Sequence, residues 1–124
     1  MATATQARPL EKRETSNLIG SDKVEGTPVY RTNGGRVGQI ERVMIDKFSG
    51  KVAYAVMSFG GFLGIGEDYY PLPWSVLTYD PDLGGYKVNL TEQRLKNAPK
   101  YSEHEDWNWS DRARTDQVSH YYGL

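Results

Sequence analysis

The sequence predicts a mainly β domain, a small sandwich or barrel with short helices towards its C-terminus. Three observations predict it. Between residues 18 and 90, β-branched and aromatic residues fall in short runs cut by turn signals at close intervals, the pattern of successive strands. The 124 residues include 13 glycines and 6 prolines, punctuation that suits tight turns better than long helices. At 14.0 kDa the chain has room for one core and little besides.

Residues 1–17 are polar, carry Pro9 and show no periodicity that could bury a face, so they are predicted to be a disordered N-terminal arm. Residues 18–99 form the folded body, and residues 100–124 an aromatic-rich, partly helical extension. In the body, Asn33-Gly34-Gly35 separates Pro28–Arg31 from the strand Arg36–Asp46, because glycine beside asparagine supplies the positive φ of a tight hairpin. That second strand changes phase between Ile40 and Val43, which predicts a β-bulge. The segment Asp46–Lys51 closes another hairpin. Val52–Phe59 is apolar on both faces and is expected to be the central, doubly covered strand. Four glycines in residues 60–66 make a loop, and Pro71 and Pro73 assign Tyr69–Leu77 to a sheet edge or a barrel corner. After the turn at residues 80–85 comes the short strand Tyr86–Val88. Thr91 can cap a helix over Glu92–Asn97, stopped by Pro99, and Ser110 or Asp111 a second one ending before Gly123.

Charge and composition remove several function classes. With 15 basic and 16 acidic residues, the chain offers a nucleic-acid backbone no net attraction, and nucleic acid is not an expected partner. The absence of cysteine excludes disulfides and thiolate chemistry and fits a reducing compartment. No stretch approaches the 18 apolar residues of a membrane span, so direct membrane insertion is not expected and the cytoplasm is the simplest address.

The motifs that could carry chemistry are weak. The glycine loop lacks the lysine of a P-loop, and Tyr69 stands where a dinucleotide fingerprint needs glycine. Asp80, Asp82 and Gly85 imitate the start of a calcium loop, but Thr91 occupies the position of its bidentate glutamate. Glu103–Asp106 holds ligand-type side chains side by side without a scaffold. Glu67 and Asp68 are strand neighbours that point apart, and both histidines, His104 and His120, lie outside the β body. No catalytic residue, metal site or cofactor is therefore expected. Phe62, Leu63 and Ile65, set among the loop glycines, must fold back or form an exposed patch. Trp107, Trp109, Tyr121 and Tyr122 must anchor the polar extension to the barrel or to a partner. These seven residues are the candidate interaction surface. Arg42, Tyr54, Tyr70 and Trp74 are the candidate mouth for a small ligand or anion, with Tyr54 and Trp74 also expected in the core.

Arg36–Asp46, Ser49–Gly66 and Tyr70–Trp74, with their Val-Gly-Gln-Ile, Phe-Gly-Gly-Phe-Leu-Gly and Tyr-Pro-Leu-Pro-Trp runs, resemble the PRC-barrel family over about Leu18 to Asn97. The Trp107–Tyr122 extension resembles those on stand-alone bacterial members. The resemblance implies a small, partly open β-barrel related to the cytoplasmic domain of the photosynthetic reaction centre H subunit and the C-terminal domain of the ribosome maturation factor RimM. Such relatives dock on proteins and bring no catalytic residues. The expectation is a non-enzymatic interaction module whose partners are a second copy of itself and an unidentified protein, with a ligand-binding barrel as the alternative and a hydrolase as a weaker one.

Overall fold

The computed structural model describes residues 14–59, 68–102 and 105–124. One helical turn, α1 (Ser21–Val24), leads into β1 (Pro28–Arg31) and β2 (Arg36–Ile45). Next come β3 (Val52–Phe59), β4 (Asp68–Pro73), a 3-10 turn at Trp74–Val76, β5 (Leu77–Asp80) and β6 (Gly85–Val88). The helix α2 (Glu92–Lys96), the two-residue strand β7 (Tyr101–Ser102) and the helix α3 (Arg112–Tyr121) complete the order. The described strands make one seven-stranded sheet, β5-β6-β1-β2-β3-β4-β7, with β1 and β6 parallel. Its edges, β5 and β7, do not pair, yet the sheet curls until Trp74, just past β4, meets Tyr86 of β6 with ring centroids 5.2 Å apart. This is the partly open barrel the resemblance implies.

The bulge lies where the phase change predicts it, with the β2–β3 register shifting between Ile40 and Arg42. One extra residue there turns successive side chains to the other face. Ile40 opposite Met57 and Val43 opposite Ala55 point into the barrel, whereas Arg42 opposite Val56 and Met44 opposite Tyr54 point out. Gly38 is required by close approach, since a Cβ there would collide with the Ser58 carbonyl oxygen on β3. The inner core gathers Val29, Ile40, Met57, Leu72, Val88 and Leu95, all fully buried.

β3 is covered on both faces, but β2 takes the middle place in the sheet, because β5 and β6 add beyond β1 on one side while only β4 and β7 lie beyond β3 on the other. The outer cover is the extension itself: Val56 of β3 packs with Tyr101, Trp107 and Val118 in a second, smaller core. β7 pairs only with Asp68 and Tyr69, so Pro71 and Pro73 sit beyond that ladder, at an edge where no donor is needed. The 3-10 turn after them is the corner.

Both C-terminal helices begin at side chains suited to capping. Thr91 Oγ1 accepts from Arg94 N at 3.0 Å, and Asp111 Oδ1 accepts from Ala113 N at 3.0 Å. At the end of α3, Gly123 takes φ +78°, its N–H donates to the His120 carbonyl at 3.0 Å, and Leu124 N–H donates to the Ser119 carbonyl at 2.8 Å. That is a Schellman motif, which satisfies carbonyls the helix leaves open. Neither α1 nor β7 is anticipated by the sequence, because four and two residues are too few to show a period. Within the segment read as an arm, Glu14 is buried and bridges to Ile19. Contact with the barrel therefore begins before Leu18, through a polar residue that periodicity does not register.

Candidate functional site

The β5–β6 hairpin is set by its turn. Asp80 Oδ1 accepts from Asp82 N at 2.9 Å and Leu83 N at 3.3 Å, while Asp80 Oδ2 lies 3.0 Å from Lys87 Nζ. The Lys87 contact, followed by the two backbone donors, holds the Asp80 carboxyl below its ordinary range. The aspartates shape a turn, as the alternative to a calcium loop requires, and among the described residues no metal-ligating cluster occurs. The turn aligns Tyr79 opposite Tyr86, and their rings meet edge to face at 5.2 Å. Tyr79 OH in turn donates to Glu14 Oε2 at 2.9 Å.

This places an aromatic cleft of about 320 Å³ between the Glu14–Ile19 segment and β5–β6, with Trp74, Tyr79 and Tyr86 as walls and Leu18 at its rim. Leu18 is 73% exposed, because Thr15 Oγ1 accepts from Leu18 N at 2.8 Å and the tight turn holds the residue outward. Burial, reinforced by Tyr79 and Glu14, pushes the Tyr86 phenol up. Among the described residues its lining supplies one carboxylate, two phenols and the small polar side chains of Thr15, Ser16 and Asn17, and no imidazole. That set can hold an apolar or aromatic body; it contains no nucleophile–base–orienter arrangement.

A second feature is an exposed aromatic side chain on a hairpin turn. At the β2–β3 turn, Asp46 Oδ1 accepts from Phe48 N at 2.8 Å and Ser49 N at 2.9 Å, and these bonds hold its carboxyl below the usual range. The turn is thereby closed with Phe48 fully exposed between Lys47 and Lys51 in the sequence, and Ile45, the last residue of β2, is 50% exposed. An aromatic residue on a turn too tight to fold back is the sequence signal for this position.

The structure does not assemble the expected mouth. Arg42 and Tyr54 lie on the outer face, Tyr54 against Trp109 at 5.4 Å, whereas Tyr70 and Trp74 belong to the inner core. The bulge and the strand alternation put them on opposite sides of the sheet. Tyr70 is buried against Phe59 at 5.5 Å, and Trp74 is half-buried at the core's rim, where it faces the aromatic cleft instead. Of the candidate interaction surface, Phe62, Leu63 and Ile65 lie outside the described residues, as do Glu67, Glu103 and His104. Trp107 is 7% exposed and turned onto the chain's own sheet, with Arg114 stacked 4.8 Å from its ring. Trp109 and Tyr122 pack against the same outer cluster. Tyr121 is locked to α2: its OH donates to the Arg94 carbonyl at 2.6 Å, and Arg94 Nη2 donates to its carbonyl at 2.7 Å. The extension's aromatics are thus used within the chain, because the outer face of β3 is apolar and needs a cover. His120 stays exposed.

Comparison with family models gives a match to the PRC-barrel domain over residues 16–95. The chain belongs to the PRC-barrel family. No curated protein matches it. The match ends within α2, so β7 and α3 are additions packed on the PRC-barrel from outside. It begins at Ser16, inside the segment that walls the aromatic cleft, which makes most of that wall part of the PRC-barrel. Among the described residues no helix is long and apolar enough to cross a membrane.

Proposed function

We propose that this PRC-barrel is a non-catalytic interaction module that pairs with a second copy of itself and docks on a further protein in the cytoplasm. The observation that carries the reading is the fully exposed Phe48, held outward by two hydrogen bonds to Asp46. Single exposed apolar residues are common, but an aromatic ring fixed away from its own core is a contact in waiting. The loop residues Phe62, Leu63 and Ile65, three large side chains set among glycines, belong to the proposed contact surface. Non-catalytic action fits the use of Asp46, Asp80 and Glu105, whose carboxylates accept backbone N–H groups at turns. The cytoplasmic address is part of the proposal, and the cysteine-free composition is compatible with a reducing compartment.

Sedimentation of the full chain across the micromolar range tests self-association. We expect a reversible monomer–dimer equilibrium, and a species of 14.0 kDa at every concentration would remove the pairing. A second reading, small-ligand binding, is favoured by the aromatic cleft of about 320 Å³, which lies at the small end of ligand-site sizes. A thermal-shift screen with small aromatic compounds tests it, and protection lost in Trp74→Ala would support it.

A further inference from the structure

We propose that the cavity between the β1–β2 turn and the start of α2 binds a small, neutral α-amino acid, with Arg31 taking its carboxylate and Glu92 its ammonium. The inference goes beyond the pairing reading and stands apart from it, because this cavity shares no residue with the aromatic cleft or with the Phe48 turn.

The sheet builds the cavity from its parallel pair. β1 and β6 run side by side with Arg31 opposite Val88, so both strands leave the sheet at the same end. Thr32 and Asn33 follow β1, the segment Asn89 to Glu92 follows β6, and together with Arg31 they enclose about 290 Å³, close to the small end of ligand-site sizes. The Thr32 hydroxyl ties the two exits together, shared between the Val88 carbonyl and Asn89 Oδ1 at 3.3 Å from each.

The polar groups of the lining are left unused by the fold. The Arg31 guanidinium makes no hydrogen bond among the described residues: Nε is buried without a partner, and Nη1 stands 3.9 Å from Glu92 Oε2, too far for one. A guanidinium brings five N–H donors in a planar fork, and through two of them it meets both oxygens of a carboxylate. Gly35 leaves this group its place, since a Cβ there would collide with Arg31 Nη2. Glu92 has no contact other than the long one to Arg31. The carboxamides add donors. Asn33 Oδ1 accepts from Gly35 N at 3.2 Å and Asn89 Oδ1 from Thr32, which leaves each Nδ2 without a partner among the described residues.

Charge selects the ligand. Among the described lining residues Arg31 is the one cation and Glu92 the one anion. A simple anion at Arg31 would stand beside the Glu92 carboxylate, and a simple cation at Glu92 beside the guanidinium, so each would be repelled by the group it does not use. An α-amino acid carries both charges joined through a single carbon and can face both ends of the 3.9 Å pair at once. Opening that pair costs little, because long ion pairs at the surface contribute little to stability. A quaternary ammonium would call for an aromatic cage, and no aromatic side chain lines the cavity among the described residues. Leu90 is its large apolar wall, which suits a small side chain.

The test is a proton–nitrogen NMR titration of the full chain with L-alanine and L-glutamine, and separately with acetate and methylammonium, each of which carries half of the charge pattern. We expect saturable shifts at the amides of Arg31 to Asn33 and Asn89 to Glu92 with either amino acid, at a dissociation constant of about millimolar order because solvent screens the site. Acetate and methylammonium should bind roughly tenfold more weakly, and Arg31→Gln and Glu92→Gln should each weaken L-alanine by roughly tenfold or more. Glu92→Gln should also bind acetate more tightly than the wild type does, a reversal that a merely structural role would not produce. Glu92 is half exposed, so its variant keeps the test decisive even where Arg31→Gln fails to fold. No saturable shift at this end of the sheet with either amino acid would overturn the proposal, as would L-alanine binding left unchanged by Glu92→Gln. Acetate bound by the wild type as tightly as L-alanine would make this an anion site and overturn the assignment of the ligand. Each of these outcomes is independent of the monomer–dimer equilibrium, which sedimentation reads separately.

Discussion

Tyr122 joins the two cores. Its ring packs against both the inner cluster and the outer one, and it meets Tyr121 edge to face at 5.4 Å. Its hydroxyl is buried and has no hydrogen-bond partner among the described residues, and burial pushes the phenol far above its ordinary value. A buried polar atom without a partner costs about 1–3 kcal/mol, so the ring supplies the stabilisation here and the hydroxyl detracts from it. Tyr122→Phe should therefore leave stability unchanged or raise it by up to about 1 kcal/mol, whereas Tyr122→Ala should lower it by roughly 3–5 kcal/mol by opening a cavity between the cores. Urea unfolding of the two variants checks both figures. A loss above about 1 kcal/mol for the phenylalanine variant would show that the hydroxyl is bonded after all. Trp107 follows the same logic, since its Nε1 is buried without a partner among the described residues while its ring covers Val56.

At the scale of elements, the extension depends on local devices more than on apolar burial. Val118 is the single buried residue of α3, too little to hold ten residues as a helix by itself. The Asp111 cap, the Schellman end and the paired Arg94–Tyr121 hydrogen bonds supply the rest, with the Arg94 guanidinium stacked 4.2 Å from the Tyr121 ring centre. Asp111→Ala should cost about 1 kcal/mol, read as a lower urea midpoint at unchanged slope. Unchanged stability would mean that Ser110 or solvent takes over the cap. Such devices were legible in the sequence because they are encoded within three or four residues: Thr91, Asp111 and Gly123 each stand where the chain's own spacing requires them. The bulge was legible for the same reason, as a phase change between Ile40 and Val43. Two things were not. The mouth was assembled from residues close along neighbouring strands, and the alternation that separates Arg42 and Tyr54 from Tyr70 and Trp74 acts between strands whose register the sequence does not state. The side on which the extension packs depends on the two-residue β7 ladder to Asp68 and Tyr69, a tertiary choice with no local signal.

Over the whole molecule, buried phenols set the alkaline limit of stability. Tyr70, Tyr86, Tyr101 and Tyr122 are all raised above the ordinary 10.0, in each case chiefly because burial penalises the phenolate. Below pH 10 the native and unfolded chains hold these four protons alike, so this source leaves stability level. Above pH 10 the unfolded chain releases them while the native chain keeps them, so the native state binds more protons and stability falls as pH rises. On the acid side the signs reverse. Asp46, Asp80 and Glu105 are held below their ordinary 3.8, 3.8 and 4.5, so the stability they lend is present above those values and lost as pH falls through the lower native ones. Asp46 and Glu105 are exposed to solvent, which screens their interactions, and Asp80 is partly exposed, whereas the phenols are enclosed, so the alkaline limb should be the steeper. We expect a plateau from about pH 5 to about 9 and a cooperative loss of β-sheet circular dichroism above about 10. At least four of the nine tyrosines should ionise only with that loss, followed as tyrosinate absorbance in the same titration. Tyr122→Phe removes the most strongly raised group and should move the alkaline midpoint upward. Nine phenols ionising smoothly while the circular dichroism holds would show that the two cores admit solvent, and would undo the account of Tyr122 as a sealed joint between them.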